Sequence, residues 1–345
     1  MKTANAVVLL LLAAASALRA ETGSTALPFL KMDQGARAAA LGGAYCAAGD
    51  DAWSVFYNPA GTALPPRREI ALGHNEWLEG IRNETLAYVH PLASGAALFG
   101  GLNALLSGGM DKYDAAGTKT GSFSAQEGAL SFGASVPLGG GYYGGAAAKG
   151  LYQKAAADSA LAWAGDAGLL KVSGDWRLGA SASNFGTGMK LGSVSFPLPL
   201  ILRAGAAWNY QDKLRISADG VKAGESDTAL AVGAEGELAV NPGESFYARA
   251  GYRTGRSRYA GPGLSAGVGL KNGGLRADYA FTPYGELGDS HRLTIALSFG
   301  GERPAPAKRR GKYQPRRKAV QTAPARRIEK KKKGKTEDAP VYFIW

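Results

Sequence analysis

The chain has 345 residues and a formal net charge of +12, but the charge is unevenly spread. Residues 301–345 hold 15 Lys/Arg against 4 Asp/Glu, whereas residues 21–300 hold 23 basic and 24 acidic side chains. That excludes the usual nucleic-acid-binding module, in which a folded domain carries a basic face, and the single cysteine, Cys46, excludes a disulfide framework and a cysteine-based zinc site.

Residues 1–20 read as a secretory signal peptide. Lys2 supplies the charged start, residues 6–17 form a short apolar run, and Ala15-Ser16-Ala17 has the small-x-small spacing of a cleavage site, with cleavage after Ala20 as the alternative. This apolar run is too short to span about 30 Å of hydrocarbon at about 1.5 Å per residue. No later stretch approaches a spanning helix, so the sequence predicts an exported chain that is either soluble or a membrane β-barrel.

Residues 21–66 do not alternate between apolar and polar. The stretch GARAAALGGA (residues 35–44) is small and partly helical in character, and DDAWSVFYNPAG (residues 50–61) follows it. Asn58-Pro59 favours a turn, because the residue before proline is pushed out of the helical region.

From about residue 67 to residue 300 one pattern repeats: alternating runs of about ten residues separated by turn signals. Leu293, Ile295, Leu297 and Phe299 alternate with Arg292, Thr294, Ala296 and Ser298, and Leu130, Phe132, Ala134, Val136 and Leu138 alternate with Ser131, Gly133 and Ser135. The turn signals include Asp111-Lys112-Tyr113-Asp114, Gly139-Gly140-Gly141, Asn241-Pro242-Gly243 and Asn272-Gly273-Gly274. Fourteen strands are predicted, near 68–76, 82–91, 94–106, 125–137, 141–153, 159–171, 174–184, 199–210, 213–222, 226–239, 244–253, 261–271, 274–281 and 290–299. An even number of strands of about 9–11 residues fits a transmembrane antiparallel β-barrel, whereas soluble sandwiches use strands of about 5–6 residues. Of 50 glycines, 47 fall in residues 21–300, where they suit bends and close backbone approach. The fold class is therefore all-β. Residues 21–66 read as an N-terminal helical hatch filling the lumen, and residues 67–300 as an outer-membrane barrel.

On the inward parity the strands carry Arg203, Arg249, Arg253 and Arg276 with Glu235, Glu237 and Asp278, as a charged lumen requires. Aromatics such as Trp77, Trp163, Trp176, Trp208 and Tyr210 lie toward strand ends, where girdles form. Cys46 is expected as a small buried residue of the hatch.

The run Gly35-Ala36-Arg37, Leu41-Gly42-Gly43-Ala44, Asp50-Asp51-Ala52 and Asn58-Pro59-Ala60-Gly61 resembles the N-terminal signature of FadL-like outer-membrane proteins, and more closely the PorV/PorQ family. The aromatic-ended run at residues 291–299 is similar to the closing strand of these barrels. The resemblance implies a fourteen-strand barrel with a hatch containing the Asn-Pro-Ala-Gly turn. It implies one of two roles: protein secretion or surface attachment of the type IX kind, which is taken as the leading expectation, or transport of hydrophobic molecules such as long-chain fatty acids. The shared motif is scaffold and does not choose between them.

The candidate functional residues are therefore Arg37, Asp50, Asp51, Asn58, Pro59, Ala60 and Gly61, with structural roles (a cap, an Arg37 ion pair, a turn) set beside ligand gating. His74, His90 and His291 lie far apart in sequence, with no Gly-x-Ser-x-Gly turn and no metal-ligand spacing, so no enzyme, cofactor or metal site is expected. Residues 301–345, with five prolines and Lys/Arg clusters, read as a disordered basic periplasmic tail ending in the apolar Val341-Tyr342-Phe343-Ile344-Trp345. The expected partners are outer-membrane lipid, secreted proteins or secretion-system components, and an anionic cell-wall polymer for the tail; nucleic acid is not among them.

Overall fold

A computed structural model of the chain describes residues 25–156, 158–211, 213–224, 226–255 and 260–303. The signal peptide and all but the first residues of the basic tail lie outside the described residues. Fourteen antiparallel strands close into a barrel. In chain order they are β1 (Arg68–Glu76), β2 (Arg82–Pro91), β3 (Ala97–Leu106), β6 (Ala125–Gly139), β7 (Tyr142–Ala155), β8 (Asp158–Ser173), β9 (Trp176–Gly186), β12 (Ile201–Tyr210), β13 (Leu214–Ala223), β14 (Ala229–Asn241), β15 (Glu244–Arg253), β16 (Leu264–Asn272), β17 (Leu275–Pro283) and β18 (Asp289–Phe299). Closure is made by β1 against β18, from Arg68↔Phe299 to Glu76↔His291.

The number of wall strands agrees with the count from periodicity, and their limits shift by only a few residues. Sequence reading missed two hairpins, β4 (Met110–Tyr113) with β5 (Lys119–Phe123) and β10 (Met189–Leu191) with β11 (Val194–Phe196), which lie in connections between wall strands. The expected turn at Asp111-Lys112-Tyr113-Asp114 is displaced: Asp111 to Tyr113 pair within β4, and the turn starts at Asp114, whose carbonyl accepts from Gly117 N. Asp114 Oδ1 also accepts from the amides of Ala116 and Thr118, so the local Asx geometry sets the turn three residues later.

The wall is inverted relative to a soluble protein. Leu72, Leu98, Phe132, Leu161, Trp163, Leu230, Leu270, Leu293 and Ile295 are exposed, whereas Asn83, Asn103, Lys149, Asp166, Arg203, Asp219, Arg249 and Asp278 are buried. Period-two alternation puts the apolar set outside and the polar set inside, the arrangement a bilayer imposes on a barrel. Trp176, Trp208 and Tyr210 cluster at one rim, with ring centroids 6.2 and 5.4 Å apart. At that rim the turns are short, two residues between β6 and β7 or between β14 and β15; at the other rim residues 107–124 and 187–200 form long connections.

The N-terminal segment lies within this wall. It enters at the long-loop rim, where Ala26 N donates to Pro197 O, and leaves at the short-turn rim into β1. Its contacts reach the inner faces of β13, β14 and β16 on one side and β6 and β8 on the other. The helical expectation is only partly met: one α-helical turn, α1 (Ala36–Ala40), is followed by 3-10 turns at Ala52–Phe56 and Pro59–Ala63. Glycines and prolines at this density leave no room for a longer helix. Replacing Ile295 with arginine should therefore destabilise the barrel by about 2–4 kcal/mol, read as a lower urea midpoint in lipid vesicles, although a soluble protein would tolerate the change at so exposed a position.

Candidate functional site

The residues singled out from the sequence converge on two sides of the N-terminal segment. The first side is ionic and faces the short-turn rim. Arg37, at 4 % exposure, bridges three carboxylates: its Nη1 lies 2.6 Å from Asp50 Oδ1 and 3.0 Å from Asp51 Oδ2, and its Nη2 lies 2.6 Å from Glu235 Oε1. Its Nε donates to Glu235 Oε2 at 2.7 Å, so the pair with β14 is bidentate, the geometry that suits a guanidinium best. Asp51 has a second role as the cap of the following 3-10 turn, with Oδ1 accepting from Trp53 N at 3.1 Å. Both structural roles anticipated for this Asp pair are thus filled.

Asp50 also takes two arginines from the wall. Arg177 Nη1 of β9 and Arg215 Nη2 of β13 lie 3.0 and 2.8 Å from its Oδ2. Burial pushes the Asp50 carboxyl up, but Arg215, Arg37 and Arg177 outweigh it and hold the group well below the usual carboxylate range. The network runs on through Arg249, whose Nε is 2.6 Å from Glu235 Oε2 and whose Nη1 is 2.9 Å from Asp278 Oδ1. Arg276 Nε closes it at 2.9 Å from Asp278 Oδ2. The inward placement of Arg203, Arg249, Arg276, Glu235 and Asp278 follows the expected parity, and Arg253 faces in to pair with Asp33 at 3.4 Å. Removing one partner from such a buried set costs about 3–5 kcal/mol.

The second side is made of backbone and small residues. Asn58 caps the Pro59–Ala63 turn, its Oδ1 accepting from Ala60 N at 3.1 Å, while Nδ2 donates to Cys46 O at 2.9 Å and to Leu169 O of β8 at 3.0 Å. Pro59 and Ala60 press on Gly145 of β7, Asn58 and Pro59 on Gly168 of β8, and Cys46 on Gly179 of β9. A side chain at any of these three glycines would collide with that segment, so the wall there is a single layer of backbone. Outside the same strands lies an apolar groove of about 450 Å³, lined by Ala134, Val136, Gly144, Ala146, Ala167, Leu169, Ala180 and Ala182. Gly61 also packs closely, against Gly49 O within the segment itself.

The wall is also irregular at this place. The β8–β9 register shifts between Gly165 and Ala167, and Asn184 opposite adopts a left-handed φ of 64°. Side chains bridge the break: Asp166 Oδ1 accepts from Asn184 N at 2.8 Å, and Lys149 Nζ donates to Asn184 Oδ1 at 2.8 Å and pairs with Asp166 Oδ2 at 2.7 Å. On its other edge, β9 pairs with β12 only as far as Ser183↔Ile201 although it runs on to Gly186.

Sequence reading missed Arg177, Arg215, Lys149, Asp166 and Asp219. Asp219 Oδ2 accepts from the amides of Tyr45 and Cys46 at 2.8 and 2.7 Å and so fixes the chain before Asp50. All five are charged residues on the inward parity of their strands, four of them two residues from Gly168, Gly179 or Ser217, which is the signal that finds them. Cys46 is buried as expected, and burial pushes its thiol well above the usual range. At the segment's exit, Arg303 N donates to Pro66 O at 2.9 Å and its guanidinium donates to the carbonyls of Ala63 and Gly95. Among the described residues no cluster of His, Cys, Asp and Glu is arranged to hold a metal ion. A Gly168→Val substitution should push the Asn58–Pro59 turn off the wall and accelerate maleimide labelling of Cys46 by about tenfold or more, about 1.4 kcal/mol in the opening equilibrium, measured on folded protein in detergent.

Solved structures similar to this chain are outer-membrane barrels. The toluene transporter TbuX of Ralstonia pickettii aligns with a TM-score of 0.54 at 15% identity, over 77% of this chain and 98% of its own. The toluene transporter TodX of Pseudomonas putida aligns at 0.53 and 13% identity over 80% and 99%, and a FadL homologue of Pseudomonas aeruginosa at 0.50 and 13% over 77% and 97%. At these identities the likeness is one of fold, and it bears out the FadL-like part of the sequence resemblance; nothing in it singles out the PorV/PorQ branch. No curated protein sequence matches the chain. A family model covers residues 6–190, more than half of the chain, and by it this protein belongs to UPF0164, described as an uncharacterised protein family.

Proposed function

We propose that this protein is a non-enzymatic outer-membrane channel that admits hydrophobic small molecules, with the N-terminal segment as its hatch. This was the second of the two roles implied by the sequence resemblance. It is favoured over the secretion role because the similar structures are hydrocarbon and toluene transporters and a FadL homologue. The observation that carries the proposal is the wall at β6–β9. There a lipid-facing apolar groove and the Asn58–Pro59 turn are separated by backbone alone, beside an interrupted strand ladder.

The physical case rests on which paths the interior leaves open. A hydrophobic molecule gains nothing by crossing the charged network at the short-turn rim, where Arg37, Asp50, Arg215, Glu235 and Arg276 face a water-accessible cavity. It loses no solvation by leaving sideways, through a wall of glycine and alanine into the hydrocarbon layer. Movement of Asn58–Pro59 away from Gly145 and Gly168 would vacate space directly behind that wall. Short turns at one rim and long connections at the other match the periplasmic and extracellular ends of such barrels, so the basic tail would start on the periplasmic side, where an anionic cell-wall polymer is its proposed partner.

The protein-secretion role is the second reading. Its motivating feature is the β4–β5 hairpin at the long-loop rim, which exposes Met110, Tyr113 and Phe123. Outer-membrane vesicles carrying the protein should accumulate oleate or toluene faster than vesicles lacking it. Filling the groove by Ala146→Trp with Ala167→Trp should cut that uptake about fivefold or more, a barrier increase of about 1 kcal/mol, without lowering thermal stability. Uptake equal to the empty vesicles, with exported proteins co-purifying from solubilised membranes, would favour secretion instead.

A further inference from the structure

Asp50 differs from every other carboxylate in the ionic network. Its side chain is 22% exposed, against 9% for Asp51, 7% for Glu235 and 3% for Asp278. It lines a cavity of about 550 Å³ that opens at the short-turn rim, together with Arg37, Arg215, Glu235 and Arg276. It also sits in the connection between α1 and the Ala52–Phe56 turn, outside any strand, whereas Arg177 and Arg215 are fixed in β9 and β13. Three guanidinium groups therefore hold one carboxylate of the N-terminal segment at the edge of a water-accessible space.

We propose that this cluster is an oxyanion site, occupied internally by Asp50, and that a small carboxylate or phosphate entering from the short-turn rim exchanges with Asp50 and releases the hatch. The donors are in excess. Each guanidinium brings five N–H groups, and Arg177 Nε is buried without a hydrogen-bond partner among the described residues. Arg177 and Arg215 also donate to Ala48 O, at 3.4 and 3.1 Å, so the loop from Ala48 to Asp50 depends on these two arginines for its position.

Exchange is required because departure alone is disfavoured. If Asp50 leaves with nothing in its place, Arg37, Arg177 and Arg215 lose a shared counter-charge in a partly desolvated site. An oxyanion that takes those donors removes that penalty, so its binding and the displacement of Asp50 are linked, and each favours the other. Arg37 keeps its bidentate pair with Glu235 throughout, so α1 stays on β14 while the segment from Ala48 to Asp50 is freed. Cys46 lies just before that segment, 1% exposed, with Sγ 3.7 Å from Ser181 Oγ, and as the sole cysteine it reports the release. The inference does not depend on what crosses the wall at β6–β9, so failure of the uptake assay leaves it intact, and the converse holds.

The test is the rate of maleimide labelling of Cys46 in the full, detergent-solubilised protein at fixed pH, with inorganic phosphate and acetate as probes and sodium chloride matching ionic strength. Phosphate should accelerate labelling saturably by about fivefold or more. Acceleration by acetate as well would assign the site to oxyanions generally, and acceleration by phosphate alone would assign it to phosphates. Asp50→Asn should label rapidly without phosphate and lose the phosphate dependence. Rates that follow ionic strength alone, equal in chloride and phosphate, would overturn the proposal. So would the absence of saturable binding of both phosphate and acetate to the unmodified protein by calorimetry, which is independent of how the variant folds.

Discussion

The bidentate pair between Arg37 and Glu235 is the contact on which the interior depends. It joins the short helix of the N-terminal segment to strand β14, and from it the ion pairs extend to Asp50 and Asp51 on one side and to Arg249 and Asp278 on the other. A barrel of fourteen strands has more lumen than its own inward side chains fill. Polar wall residues facing that lumen must find partners once water is displaced. The N-terminal segment supplies them: the Asp50 carboxylate for both Arg177 and Arg215, amides for Asp219, and a guanidinium for Glu235. Segment and wall each satisfy groups the other would leave unpaired.

The opposite side of the segment obeys a different rule. Where Asn58, Pro59 and Ala60 meet β7 and β8 there are no charges, and contact is made possible by the absence of side chains at Gly145 and Gly168. The same strands show small residues to lipid, so their wall is thin on both faces. One side of the segment is thus held by strong, geometrically demanding ion pairs and the other by close packing and three uncharged hydrogen bonds to the wall, Asn58 Nδ2 to Leu169 O, Ser181 Oγ to Tyr57 O, and Thr62 Oγ1 with Ser135 Oγ. The packed side separates without breaking an ion pair, so passage is proposed there and control at the ionic side.

Much of this was legible in the sequence, because period-two alternation is a direct consequence of strand geometry. The strand limits and the inward parity of Arg203, Glu235, Arg249 and Asp278 follow from it. The burial of Cys46 was legible on other grounds, from its place in the hatch and its small apolar side chain. The Arg37 partner of Asp50 was anticipated, but its wall partners were not, since Arg177 and Arg215 are more than a hundred residues away and meet it only after the barrel closes. The hairpins β4–β5 and β10–β11 were missed because their strands are too short to show alternation. The segment was expected to be more helical than it is; its Asn58-Pro59 and Asp51 signals set 3-10 turns instead.

The central claim is that the wall of β6–β9 beside the Asn58–Pro59 turn is the way between the lumen and the hydrocarbon layer. The most direct measurement is photocrosslinking with a hydrophobic diazirine probe delivered through the bilayer to the unmodified protein, followed by mapping of the labelled residues. The account predicts labelling concentrated at Ala146, Ala167 and Ala182 and extending to the buried Asn58–Ala60 turn behind them. Uniform labelling around the apolar belt, with none on residues 58–60, would contradict it.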